Sequence, residues 1–369
     1  MVLLGKIKHM TKQIKYKEKY RPIKFPEDEQ RHDHIIEWWY FNGNLKAKNG
    51  QTFSYMNCLF ATKPDKVKIS FLKTNFIKEL FFSHYLLSNN NKEFKNKTNP
   101  FCIIDSNSFT KPLLWVNYDN SCLIEEVEPF KYHIVNDFID LYMESQKIPL
   151  LLNKNGFLDL NVKTTYYYSL TRLKTKGLVK EKGKWIEVEG ISWMDHQWAQ
   201  TPLTDDDQWK WFSIQLDNQC DIICFIYGNK IKTGHASMID KNNNIKTTSK
   251  IEINPKGIKY KNKKTGNEYN LEYEINIPEF SISLKTTPFK KEQEMVFETI
   301  KYWEGGIKVE GMMDNKKVSG KGFCELVTEP RDSIAKYIIG KAKNPIKNIQ
   351  SISDLSIKSI YLLNQKNKG

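Results

Sequence analysis

Glu37-Trp38-Trp39-Tyr40-Phe41-Asn42-Gly43 is answered far downstream by Trp209-Lys210-Trp211-Phe212-Ser213-Ile214-Gln215-Leu216. Ser192-Trp193-Met194-Asp195-His196-Gln197-Trp198 lies between the two, and Tyr302-Trp303-Glu304-Gly305-Gly306 follows. Seven of the nine tryptophans fall in these four stretches, beside acids and a histidine. A tryptophan must bury a large ring while its indole N–H finds a partner. Clusters of this kind mark an aromatic-lined cavity or a seam between domains. Each half of the chain opens on an aromatic motif, and each carries a late Glu-Gly, at Glu189-Gly190 and Glu310-Gly311. The repeat predicts two similar domains, which suits a length of 369 residues, more than one core usually serves.

Working outward, strand-like alternation fills both halves. Thr52–Phe60, Asp159–Tyr166 and Trp185–Gly190 alternate polar and apolar residues in the first half. Ile251–Ile253, Leu271–Ile275, Ser281–Leu284 and Ile307–Gly311 do so in the second. A period of two marks a half-buried strand. Lys48-Asn49-Gly50, Asp217-Asn218 and Asn242-Asn243-Asn244 supply turns, since Gly, Asn and Asp tolerate the backbone angles that turns need. An all-β chain whose strands keep one wet face fits closed antiparallel barrels better than a parallel sheet. The expected order is a basic arm over residues 1–30 broken by Pro22 and Pro26, a barrel over 31–200, a second barrel over 201–330, and a basic amphipathic, helical tail over 331–369. The boundary falls between Ala199 and Asp207, at Pro202 and three consecutive aspartates.

Composition narrows the function classes. Hydrophobic residues make up 40% and aromatic residues 13%, ample for folded cores. The net charge of +14 comes from lysines spread along the chain and denser at both termini. Basic termini leave peripheral contact with an anionic membrane open, whereas no nucleic-acid-binding motif accompanies the charge. Six cysteines occur without a CxxC pair, against a structural zinc site. The apolar run Val2-Leu3-Leu4 is too short for a signal-peptide core or a membrane span. A cytoplasmic protein with reduced thiols is therefore expected. Phosphate-binding glycine loops, a Gly-x-Ser-x-Gly elbow and His-Glu-x-x-His are all absent, which argues against nucleotide-dependent and serine-hydrolase chemistry.

Three places carry candidate chemistry. Asp195-His196 stands among tryptophans, where burial and a neighbouring carboxylate tune a proton-transfer group. Adjacent strand residues point to opposite faces, so the two need not touch. A buried polar pair fastening the interdomain loop is the alternative. His32, His34 and Glu37 precede the first aromatic strand, but one His-x-x-Glu pair falls short of the three or four ligands a metal needs. Glu304, between Trp303 and Gly305, is an acid whose surroundings could raise its pKa, or an exposed strand residue.

Together the motifs resemble the AttH and carotenoid 1,2-hydratase (hydroxyneurosporene synthase) family of lipocalin-like proteins. The likeness runs from His34 with Glu37 to Leu45, through Ser192–Trp198, Trp209–Leu216 and Tyr302–Gly305, to Gly320-Lys321-Gly322-Phe323-Cys324-Glu325-Leu326. The resemblance implies two packed calycin-type antiparallel β-barrels that bind hydrophobic, often isoprenoid or polyketide-like, molecules without a cofactor. His196 and Trp198 match the His-x-Trp of the hydratases. Tyr227 matches the tyrosine of their Tyr-x-Asp, but Asn229 stands where they carry the aspartate. The implied site comprises His196, Asp195 and Glu304 as catalytic groups. Glu37, Trp38, Tyr40, Trp198, Trp211, Tyr227 and Trp303 would bind the substrate. Two functions remain open: a hydro-lyase or isomerase acting on a hydrophobic ligand, or a carrier that binds such a ligand unchanged.

Overall fold

The computed structural model describes residues 18–63, 79–90, 92–160, 163–201, 207–229, 232–297 and 300–327. Among them the chain is all-β, with three single 3₁₀ turns and no α-helix. Two curled antiparallel sheets carry nearly all the strands, one of twelve and one of ten. Both follow the same plan. The opening strand of each half pairs with its closing strand, Ile36–Ala47 with Lys184–Ala199 and Trp209–Leu216 with Lys316–Val327. From that central pair, meanders run out on both sides. Local sequence drives this arrangement, because alternating apolar residues give every strand one face that must leave water.

The sheets are half-barrels rather than the closed barrels expected. In the first, the outermost strands Phe94–Asn99 and Trp115–Tyr118 do not pair. Residues 101–105 cross the gap instead, with Cys102 N bonded to Phe81 O and Asp119 N to Ile103 O, each at 2.8 Å. In the second, the two edges Ile245–Thr248 and Glu252–Lys256 are joined by a short link and form no ladder. Asp159–Tyr166 is a hairpin rather than one strand: Phe157–Asp159 pairs back on Thr164–Tyr166. Period-two alternation is the same on both sides of a tight hairpin, so the pattern could not separate them.

The Glu-Gly echo also shifts. Gly311 matches Gly177, not Gly190, since each lies on the penultimate long strand of its half. A side chain at Gly177 would collide with Asp140 O, and one at Gly311 with Ser283 O. Gly190 corresponds to Gly320, where a Cβ would strike Asn44 O and Gln215 O respectively. Close strand crossing is what demands glycine here.

Three apolar clusters follow from the alternation. One fills the first half-barrel around Trp39, Phe41, Tyr132 and Trp198, another the second around Phe212, Tyr273 and Trp303. The third lies between the sheets and includes Tyr40, Tyr167, Trp193, Trp211 and Tyr302. A charged knot closes one end of this seam. Asp221 there takes Arg172 at 2.5 Å and Lys147 at 2.8 Å. Gly306 allows close approach, because a Cβ there would strike Ser54 Oγ of the other sheet. All six cysteines are free and buried.

Residues 18–30 of the basic arm lie against the first half-barrel. Trp39 Nε1 donates to Glu29 O at 2.9 Å and Arg21 N to the Tyr166 hydroxyl at 2.8 Å. Residues 1–17 and the whole proposed helical tail, 331–369, lie outside the described residues. No helix among the described residues is long and apolar enough to cross a membrane.

Candidate active site between the sheets

A cavity of about 110 Å³ opens between the two sheets. Strand parity decides which residues reach it. Along Ile36–Ala47, the even positions Ile36, Trp38 and Tyr40 line the cavity, while Trp39 and Phe41 enter the first half-barrel. Along Lys184–Ala199 the odd positions Asp195, Gln197 and Ala199 line it. The second sheet contributes Trp209 and Trp211, then Phe225 and Tyr227, then Tyr302, Glu304 and Glu325.

Three carboxyls meet in this aromatic space. Asp195 Oδ1 accepts from Ser169 Oγ at 2.5 Å and from Trp193 Nε1 at 2.6 Å. Its Oδ2 accepts from the Tyr167 hydroxyl at 2.6 Å, and Trp211 Nε1 reaches that hydroxyl across the seam at 2.9 Å. Burial outweighs these donors and lifts the Asp195 pKa to about 7. Opposite, Glu304 and Glu325 face each other in register on neighbouring strands. Burial raises both, and each is pushed further by a neighbouring negative charge, Glu304 by Glu325 and Glu325 by Asp195. The Tyr40 hydroxyl donates to Glu304 Oε1 at 2.6 Å across the seam. None of the three acids has an ion pair among the described residues. With burial and the nearby Glu325 charge both raising it, Glu304 retains its proton near neutral pH.

His196 points the other way. On the reverse face of Asp195 it enters the first half-barrel, stacked on Trp39 with ring centroids 4.9 Å apart. Its Nε2 lies 2.7 Å from Glu37 Oε1, and His32 Nδ1 lies 2.6 Å from the same oxygen. Arg31 pairs with Glu37 Oε2 at 2.5 Å, and Asp28 accepts from His32 Nε2 at 2.9 Å. Burial would raise Glu37, but the hydrogen bonds of His196 and His32 hold it at about 2. Burial lowers His196; His32 is raised, its bonds to Asp28 and Glu37 outweighing desolvation. Trp198 stacks on His32 at 3.9 Å in this same interior. Deeper in, Glu29 is also raised by burial and then by Glu126, and accepts from the Tyr132 hydroxyl at 2.7 Å.

The sequence-derived residues thus divide. Asp195, Glu304, Trp38, Tyr40, Trp211 and Tyr227 line the cavity. His196, Glu37 and Trp198 meet inside the first half-barrel, and Trp303 is buried in the second core, its Nε1 bonded to Lys291 O at 2.7 Å. Sequence reasoning missed Glu325, Tyr167, Tyr302 and Lys163, all of which line the cavity. Glu325 was visible as the one acid on the face shared with Phe323 and Val327. Asn229 leaves the Tyr-x-Asp pattern incomplete; beside Asp195, the cavity takes Glu304 and Glu325 from the Ile300–Met313 and Lys316–Val327 strands.

His32, Glu37 and His196 are the residues that could hold a metal, their ligand atoms lying within 4.8 Å of one another. Donor atoms around a tetrahedral ion at about 2.0–2.2 Å would stand roughly 3.3 Å apart. The 2.6 and 2.7 Å spacings are instead those of hydrogen bonds, and Arg31 already neutralises the carboxylate.

Comparison with known proteins adds the following. The family described as AttH-like matches residues 16–329. A kievitone hydratase of Fusarium solani subsp. phaseoli is 25% identical over 189 residues, which cover 48% of this chain and 53% of that protein. The chain thus spans about half the length of this curated relative. Among solved structures, an AttH of Nitrosomonas europaea superposes with a TM-score of 0.71 at 22% identity, over 83% of this chain and 97% of the other. Kievitone hydratase from Nectria haematococca superposes with a TM-score of 0.68 at 16% identity, over 84% and 94%. These likenesses establish the shared fold.

Proposed function

We propose, from the premise that the chain belongs to the AttH-like family, that the cavity between its sheets adds water to an alkene of a hydrophobic ligand. The observation that carries this reading is the set of Asp195, Glu304 and Glu325, three carboxyls around an aromatic cavity with no cation partner among the described residues. Burying a carboxyl this way costs stability, and raised pKa values in a cleft are a mark of proton transfer at neutral pH. A relative named for hydratase activity supports the reaction type.

The chemistry needs an acid, a cage for a cation and a placed water. The proton of Glu304 passes to one alkene carbon, and the π electron pair forms the new C–H bond. The other carbon becomes a tertiary cation beside the rings of Trp38 and Trp211, where each cation–π contact is worth about 0.5–2 kcal/mol. Water oxygen attacks that carbon, and the Asp195 carboxylate takes the proton the water gives up. Asp195 then releases that proton to solvent and Glu304 takes one back, so the net change is addition of one water. Tyr167, Ser169 and Trp193 keep Asp195 as an acceptor by all donating to it.

The test is mass spectrometry of a lipid extract incubated with the protein in ¹⁸O-labelled water. A ligand gaining one labelled water supports hydration and identifies the substrate. Ligand bound but returned unlabelled contradicts it and favours a lipid carrier.

A further inference from the structure

We propose that the cavity takes its ligand in one orientation, as an elongated amphiphile: the alkene end at the carboxyls and an oxygen-bearing head at a rim formed by Lys163 and Thr201. This rests on the reading of the cavity as a hydrophobic-ligand site, and it adds the class of ligand and its direction.

Register gives the cavity two unlike ends. Ser169 pairs with Asp195, Tyr167 with Gln197, and Tyr166 with Trp198. The levels of Asp195, Gln197, Ala199 and Thr201 therefore climb from the floor towards the rim. Lys163 stands six residues before Ser169 on the neighbouring strand line. At about 3.3 Å per residue the two ends are at most about 20 Å apart. The second sheet repeats the gradient, with Trp211 opposite Glu325 and Trp209 opposite Val327 and Tyr227, two positions nearer the rim. Between the ends the walls are apolar, from Met56, Phe60, Leu158, Leu160 and Phe225.

At the rim, Thr201 presents a polar group that nothing among the described residues satisfies. Thr201 is 5% exposed, lines the cavity, and its Oγ1 has no partner among the described residues. A buried hydroxyl left so costs free energy that a ligand oxygen would return. Beside it Lys163, 8% exposed, holds Asp207 at 2.5 Å and lies 5.1 Å over the Tyr227 ring. Asp207 balances its charge. The combination suits a neutral oxygen acceptor, a hydroxyl or carbonyl, better than a full anion. A fully apolar ligand would leave the Thr201 hydroxyl unsatisfied.

The experiment is a titration of tryptophan fluorescence, for which Trp38, Trp209 and Trp211 are placed at the cavity wall. The probes are farnesol and β-farnesene, which share a carbon skeleton and differ by one water, the hydrocarbon having a diene where the alcohol has its hydroxyl. The full-length protein should bind farnesol about tenfold more tightly, one good hydrogen bond's worth. Thr201→Val and Lys163→Met should each reduce that ratio below about threefold while leaving farnesene affinity unchanged. Thr201→Val preserves shape and charge, so it decides the matter if Lys163→Met folds poorly. Equal affinities for the two probes in the unaltered protein, or an undiminished ratio in Thr201→Val, would overturn the proposal. Equal affinities together with ¹⁸O incorporation would remove the orientation and leave the hydratase reading standing. Weak binding of both probes would overturn the elongated-amphiphile proposal and leave the hydratase reading to the ¹⁸O experiment.

Discussion

Asp195 and His196 are neighbours in the chain and occupy two different chemical worlds. The His196 side of the strand meets a carboxylate that is paired with Arg31 and the raised His32 and hydrogen-bonded by His196. The Asp195 side meets carboxyls that have hydroxyl and indole donors but no cation. The first arrangement depresses the acid, Glu37, to about 2, and the second lifts Asp195 to about 7. Burial is similar on the two faces, so pairing makes the difference. A paired buried charge fastens structure, here tying residues 28–34 to the half-barrel, whereas an unpaired one is left able to exchange protons near neutral pH.

Several substitutions would break or sharpen this contrast. The largest effect should come from Asp195→Asn or Glu304→Gln, each lowering ¹⁸O incorporation by at least about a hundredfold, as loss of a general acid or base does. Circular dichroism should show both variants folded, and urea denaturation should find Asp195→Asn no less stable than the parent. Next, Arg31→Met leaves the Glu37 carboxylate buried without its cation. About 3–5 kcal/mol of unfolding free energy should be lost in urea, with turnover of the folded fraction nearly unchanged. His196→Gln should cost less, about 1–3 kcal/mol, and likewise spare turnover. A loss of turnover in His196→Gln as deep as that in Asp195→Asn would erase the distinction between the faces.

pH should separate the two faces in opposite directions. Asp195 has a raised pKa in the folded state, so the folded form binds that proton more tightly. Its contribution to stability is lost as pH rises from about 4 to about 7, and Asp195→Asn should flatten that slope. Glu37 is depressed, so its contribution is present above the ordinary carboxylate pKa and is lost as pH falls towards about 2. Turnover should rise with pH through about 7, as Asp195 becomes a base, and fall only when the more strongly raised Glu304 gives up its proton.

Much of this was legible in the residues. Period-two alternation shows that Asp195 and His196 face opposite ways, and the two aromatic openings, Trp38 and Trp209, mark the first strand of each sheet. Alternation does not say which face meets the cavity, because inside a half-barrel and between two sheets both sides are apolar. That is why Trp198 and Trp303 sit in cores although they share motifs with cavity residues. For Glu325 alternation gives the face but not the partner: its role arises from pairing with Glu304 on the neighbouring strand, and a register of that kind is set by tertiary packing.

The most direct test is infrared difference spectroscopy of the protonated-carboxyl C=O band, unaltered protein minus Asp195→Asn, titrated between pH 5 and pH 9. The expected result is a band that disappears as pH passes through about 7 and that is unchanged when His196→Gln is the background. A difference spectrum with no protonated carboxyl at pH 5 would show Asp195 already ionised there, and would contradict the assignment of proton transfer to the cavity face.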